Sequence, residues 1–195
     1  MDDTTALLVA GTHEFTKRVH AVTEDQWELS TPDSEWSVAD LVGHLIDEHL
    51  WMPPLLHGLD LETAGEVVAG ARSSEVHGGV GSNLITDWDN ASTASVDAVT
   101  AEGVMDRKVA LSRGETPASA YLAEMLFDVT VHAWDLGTAI GYAEPLPDDL
   151  IAHVHAMVLA FGDLSGTGMF APAVSVADDA PLIDRLVALT GRNPR

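Results

Sequence analysis

The chain has 195 residues, 46% of them hydrophobic, and a formal charge of −22. That length and apolar content suit one domain with a full core and room for a small appendage, and they exclude wholesale disorder. So acidic a chain repels phosphate backbones and anionic bilayers, so no nucleic-acid and no membrane partner is expected. There is no cysteine. Disulfides, thiolate ligands, iron–sulfur clusters and a cysteine nucleophile are excluded. Any metal must be held by nitrogen and oxygen, and any thiol in the chemistry must arrive with a substrate or cosubstrate. The start, Met1-Asp2-Asp3-Thr4-Thr5, lacks the basic region of a secretory signal, and no apolar run approaches the roughly 20 residues that span a bilayer. A cytoplasmic location is expected.

Leu7, Leu8, Phe15, Val19 and Val22 recur at helical intervals and predict a first amphipathic helix over residues 5–22. Thr31-Pro32-Asp33-Ser34 has turn chemistry. Ser37 then stands as an N-cap with Asp40 three residues on, an acidic variant of the capping box. Val38, Leu41, Val42, Leu45, His49 and Met52 share one face of the second helix, which is expected to stop at Pro53-Pro54. Residues 57–82 are glycine-rich and weakly periodic, with a short helix over 62–68 and a loop at His77-Gly78-Gly79-Val80-Gly81. Leu84, Trp88, Ala91, Val96 and Val99 mark a third long helix over 84–101. Pro117 suits the first turn of a fourth, whose stripe is Leu122, Met125, Leu126, Val129, Ala133, Leu136 and Ile140, with Gly141 as its stop. A fifth helix is expected over 148–161. Beyond it come a turn at Ser165-Gly166-Thr167-Gly168, a short extended piece at Val174-Ser175-Val176, and a last helix over 181–189 that ends at Gly191. Long helices with few strand signals predict an all-α bundle.

Asp128 and His132 lie four residues apart, so a helix places both on one face, one turn apart, at the edge of the fourth helix's apolar stripe. A carboxylate and an imidazole so placed can close on one ion. His44 sits at the same kind of boundary on the second helix. Two histidines and one carboxylate make a three-ligand site with an open position, as in catalytic zinc centres. Each residue also has a plainer reading, as a boundary histidine bonded to a carbonyl or a solvated aspartate. The pair weighs toward a metal, because a carboxylate facing the core edge is costly unless paired or metal-bound.

Glu48, one turn after His44, reads as a further ligand, a base or a solvated glutamate. Asp135, three residues after His132, reads either as the acceptor that orients that imidazole or as a surface acid. Glu124 extends the row at a more exposed angle. His13 and His20 read as surface residues, and His153 and His155 point to different sides of a helix. The His77-Gly78-Gly79-Val80-Gly81 loop resembles an oxyanion hole, but no Gly-x-Ser-x-Gly elbow accompanies it. Gly166-Thr167-Gly168-Met169-Phe170-Ala171 fits a degenerate dinucleotide pattern without a βαβ context.

Two segments carry a resemblance: Trp36-Ser37-Val38-Ala39-Asp40-Leu41-Val42-Gly43-His44-Leu45, and the stretch from Asp128-Val129-Thr130-Val131-His132-Ala133-Trp134-Asp135 to Gly141. They resemble the mycothiol-dependent maleylpyruvate isomerase / DinB-like superfamily, most closely an actinobacterial branch of uncharacterised metal-binding proteins. The tail, with Gly168-Met169-Phe170-Ala171-Pro172 and then Asp184-Arg185-Leu186 to Gly191-Arg192-Asn193-Pro194, is similar to that branch too. The resemblance implies a DinB-like four-helix bundle over 1–162, with a short C-terminal extension over 163–195 packed on it. It implies a divalent metal at one end of the bundle, matched here by His44, Asp128 and His132. Zinc is the expected ion, with nickel or iron as alternatives, and mycothiol is the implied cosubstrate. The isomerase has a glutamate where this chain has Asp128, one methylene shorter, and a distinct C-terminal domain to which this tail does not look equivalent. The expected function is a metal-dependent enzyme that activates a low-molecular-weight thiol, of the S-transferase or isomerase type. Its partners would be a small-molecule thiol and an electrophile. The alternatives are a non-haem iron oxygenase, which uses the same ligand triad, and a non-catalytic metal or small-ligand binding protein.

Overall fold

The computed structural model describes residues 3–33, 36–73, 80–168 and 170–194. Helix α1 (Asp3–Ala21) turns Leu8, Phe15 and Val19 inward. Helix α2 (Val38–Leu56) begins at a complete capping box. The Asp40 amide donates to Ser37 Oγ at 3.2 Å, and the Ser37 amide donates to Asp40 Oδ2 at 3.0 Å. Two amides that have no partner inside the helix are thereby satisfied.

Pro53 and Pro54 do not stop α2, which continues to Leu56. Proline removes an amide donor, but these two stand in the last turn, and the Pro53 carbonyl still accepts from His57 at 3.0 Å. Burial of Pro54, Leu55 and Leu56 offsets the missing bonds. The short helix expected over 62–68 is longer, α3 (Leu61–Ser73). Asp60 caps it by accepting from the Thr63 amide at 2.8 Å, and Ala64 and Val68 are buried. Gly65 and Gly70 obscure it in the sequence, since glycine disfavours helix.

Helix α4 (Val80–Val99) starts ahead of Leu84, the first apolar signal. His77, Gly78 and Gly79 of the glycine loop lie outside the described residues. Trp88, fully buried, is the centre of the packing between helices. Its ring meets Phe15 at 4.6 Å and His49 at 4.7 Å, and its Nε1 donates to Thr16 Oγ1 at 2.9 Å.

A small antiparallel hairpin, β1 (Lys108–Leu111) and β2 (Gly114–Pro117), was not anticipated. Its strands hold four residues each, with only Val109 buried, too short for an alternating pattern to register. Helix α5 (Ala118–Ile140) follows at once and ends where expected, at Gly141 with φ 70°. Helix α6 (Asp148–Phe161) is the fifth helix read from the sequence. A 3-10 turn spans Leu164–Thr167. Val174-Ser175-Val176 pairs with no strand among the described residues. The Val174 amide donates instead to the Ala188 carbonyl of α7 (Leu182–Leu189) at 2.9 Å.

In the tertiary structure α2 lies along α4 and α1 along α5, giving an all-α four-helix bundle. The core between them includes Phe15, Leu41, Leu45, Met52, Trp88, Leu122, Leu126 and Leu136. Helices α6 and α7 pack on each other, and α6 on α5. Among the described residues no helix is long and apolar enough to cross a membrane.

Ser37→Ala removes the side-chain half of the capping box and should destabilise the protein by about 1 kcal/mol in urea unfolding. His49 is fully buried, and burial pulls its pKa down to about 4, against a donor bond to the Leu45 carbonyl that raises it. The native state therefore keeps His49 neutral while the unfolded chain takes up a proton below about pH 6.5. Its effect on stability is absent above that pH. It grows as pH falls, by about 1.4 kcal/mol per pH unit, until the native pKa is reached. The melting temperature of the parent should thus drop more steeply between pH 6.5 and 4 than that of His49→Asn; equal slopes would refute the assignment.

Candidate metal centre

On α5, Asp128 and His132 stand one turn apart, as their spacing requires. Packing between α2 and α5 carries His44 to the same place. His132 Nε2 lies 3.4 Å from Asp128 Oδ1, and His44 Nε2 lies 3.5 Å from Asp128 Oδ2. The donor atoms of all three residues fall within 4.8 Å of one another. The two imidazoles meet edge to face at 5.3 Å, and Trp36 lies against both, at 4.7 Å from His44 and 5.5 Å from His132.

The electrostatics are those of a site built around a carboxylate. Burial alone would push the Asp128 carboxyl up, but the attraction of His132 and the proximity of His44 outweigh it and hold Asp128 well below the usual carboxylate range. Burial lowers His132, and Asp128 and Asp135 more than reverse that, raising it. Among the described residues the buried Asp128 Oδ2 has no hydrogen-bond partner, its nearest imidazole being His44 at 3.5 Å. An unpaired buried carboxylate oxygen is costly unless a cation compensates it. Two imidazole nitrogens and this oxygen suit a zinc-like divalent ion.

Asp135 is not a surface acid. It is fully buried, and its Oδ2 lies 3.0 Å from His132 Nδ1. Glu48 is half-buried beside the cluster, and burial, then the charge of Asp128, raise its pKa. Glu124 turns away and pairs with Arg113 at 2.6 Å. His13 and His20 are exposed, the latter against Asp89 at 2.8 Å. A cavity of about 510 Å³ opens beside His44, lined by Trp36, Ala39, Asp40, Gly43 and Asp47. Another, of about 440 Å³, lies by Trp134 and Tyr142; Arg18, which lines it, already pairs with Glu14 at 2.8 Å.

Sequence reasoning missed Arg192 and gave Trp36 no role of its own. Arg192 is buried and donates from Nη2 to Asp135 Oδ2 at 2.9 Å and to Asp33 Oδ2 at 2.7 Å. Asp33, His132 and Asp135 also converge closely enough to hold an ion, but the guanidinium already occupies the cation's place between the two carboxylates. The available signal was a Gly-Arg pair one residue past the last helix, in a chain with only 9 lysines and arginines against 31 acids. Gly191 has φ 81°, and a Cβ there would come within 2.8 Å of the Ala171 carbonyl oxygen. Only glycine fits both conditions.

Fold and site together define a DinB-like helix bundle with a histidine–carboxylate cleft. The chain belongs to the family described as the mycothiol maleylpyruvate isomerase N-terminal domain, which matches residues 8–137. Two Mycobacterium tuberculosis proteins, Uncharacterized protein Rv0738 and Uncharacterized protein MT0763, are each 27% identical over 180 residues, covering 89% of both chains. The crystal structure of the mycothiol-dependent maleylpyruvate isomerase superposes with a TM-score of 0.60 at 19% identity, over 80% of this chain and 68% of that one. A histidine-to-alanine mutant of that isomerase gives 0.59 at 18% identity, over 88% and 72%. At these identities the likeness establishes the shared fold.

Gly191→Ala should destabilise the protein by more than 1 kcal/mol, since strain from φ and a clash with backbone add. Gly103→Ala, at φ 73° in open space, isolates the φ contribution. Urea unfolding of the two variants should rank Gly191→Ala as clearly the more damaging.

Proposed function

We propose that His44, Asp128 and His132 hold a divalent metal, most simply zinc, and that the protein is an enzyme that uses it on a low-molecular-weight thiol. The observation that carries this reading is the Asp128 carboxylate set between two imidazoles, with His44 Nε2 3.5 Å from its buried, non-hydrogen-bonded Oδ2 and His132 Nε2 3.4 Å from its Oδ1. A divalent ion bound there lowers the pKa of a thiol or water that reaches its open position. The remaining chemistry belongs to the chain. Asp135 holds His132 from the far side of its ring, so that Nε2 faces Asp128. Trp36 walls the two imidazoles on one side, and the cavity beside His44 gives a small molecule access.

With no cysteine in the chain, the sulfur comes with a cosubstrate. The family and the solved neighbours are named for mycothiol, which makes mycothiol the first cosubstrate to test. Isomerisation or S-transfer to a small electrophile is the reaction class. Maleylpyruvate itself is a less natural substrate, because Asp40 lines the cavity and the net charge of −22 repels a dicarboxylate, even with Asp47 paired to Arg72. Tail residues 163–195 act in this reading as an extension packed on the bundle. A small-molecule enzyme of this kind belongs in the cytoplasm.

His132→Ala should lose stoichiometric metal while keeping its far-UV circular dichroism, because the bundle core does not depend on the ion. Metal analysis of untagged protein should find about one divalent ion per chain, and the zinc-loaded protein should turn over mycothiol with an electrophile from a conjugation and isomerisation panel. Metal retained by His132→Ala would sink the ligand assignment. Oxygen uptake after anaerobic iron loading, without thiol turnover, would transfer the site to the oxygenase class. Bound metal with neither activity would make it a binding protein.

A further inference from the structure

We propose that Arg192, in the C-terminal tail, is a positioning residue: acting through Asp135, it fixes the orientation and tautomer of His132. The inference rests on the metal reading of His44, Asp128 and His132 and adds a residue that the family-matched segment, 8–137, does not contain.

The geometry is a chain of three groups. Arg192 grips Asp135 from the side, with Nη2 2.9 Å from Oδ2 and Nε 3.3 Å from Oδ1. Two donors on two oxygens fix the plane of the carboxylate as well as its position. The same Oδ2 lies 3.0 Å from His132 Nδ1. A carboxylate so held accepts a hydrogen bond, so Nδ1 carries the proton. The lone pair is left on Nε2, the nitrogen 3.4 Å from Asp128 Oδ1. Released from the guanidinium, Asp135 keeps one partner and can swing about its own side-chain bonds.

Arg192 is itself held fast. Nη1 donates to the Thr190 carbonyl at 3.2 Å, and the Arg192 amide donates to the Val187 carbonyl at 3.1 Å. Gly191 permits the close pass under Ala171 that delivers the side chain. The remaining contact, Nη2 to Asp33 Oδ2 at 2.7 Å, holds Asp33, whose carbonyl accepts from the amide of Trp36, the wall over His44 and His132. One guanidinium thus joins the tail, the approach to α2 and the outer partner of a ligand on α5. Lysine carries the charge but cannot grip a carboxylate at two points.

The test measures Zn²⁺ affinity by chelator competition for the parent, Arg192→Met, Arg192→Lys, Asp135→Asn and Arg192→Met/Asp135→Asn. It also records the imidazole ¹H–¹⁵N signals of the zinc-loaded parent and single variants. Arg192→Met and Asp135→Asn should each weaken zinc binding by about tenfold or more, as changes behind a metal-bound histidine do. The double variant should bind about as weakly as Asp135→Asn alone, because both act on one path. Arg192→Lys should recover only part of the loss. In the parent, the His132 Nδ1–H signal should exchange slowly with water, and it should exchange faster in Arg192→Met and Arg192→Lys. Parent-like affinity and exchange in either Arg192 variant overturns the proposal, as do losses that add in the double variant. So does a parent His132 that carries its proton on Nε2, a result that needs no variant to fold. A parent that takes up no Zn²⁺ overturns the metal reading itself, and this inference with it.

Discussion

A carboxylate wholly withdrawn from water, Asp135, is the constraint on which the site depends. Removing an ionised carboxylate from water costs several kcal/mol, and the charge survives only if donors replace the lost hydration. Here they come from His132, one turn away on the same helix, and from Arg192, 57 residues further along the chain. Such a pair is a poor source of net stability, since a well-packed apolar substitute commonly does as well. What it supplies is direction. It allows only those arrangements in which tail, α5 and the Asp33 segment meet at one point, and it leaves the imidazole no free rotation.

The bundle and the site divide their tasks. Apolar burial along α1, α2, α4 and α5, centred on Trp88, holds the fold together. His44, Asp128 and His132 lie at the margins of the apolar stripes, where a polar atom can face a cleft without leaving the helix. Side-chain exposure is 28% at His44 and 27% at Asp128 but only 7% at His132, so the cluster is open over His44 and Asp128 and closed over His132. The cavity beside His44 is on the open side. Reach for a small molecule and rigidity for the histidine behind it therefore follow from the same gradient of burial.

Charge and composition narrow the chemistry. A net charge of −22 with cavity walls that include Asp40 and Asp47 favours neutral or cationic molecules near the centre. Lack of cysteine means that no thiol of the chain can ligate an ion at His44, Asp128 and His132. The solved isomerases show how far one fold tolerates sequence change, with a TM-score of 0.60 at 19% identity. A fold constrains where ligands can project, while the reaction depends on the particular side chains around them.

Much of the architecture was legible because helices write their period into the sequence. The stripe from Leu122 to Ile140, the Ser37–Asp40 cap and the Gly141 stop each depend on residues within a few positions of one another, and each lies where its local chemistry puts it. The Asp128–His132 pair was legible for the same reason, as a one-turn spacing. Local rules misjudged Pro53-Pro54, where burial of the following leucines outweighed two missing donors, and they passed over a hairpin too short to show alternation. His44 meeting that pair, Asp135 being buried rather than solvated, and Arg192 reaching both Asp33 and Asp135 were decided by tertiary structure alone. Those contacts join residues dozens of positions apart, and no periodicity along the chain records which faces will pack.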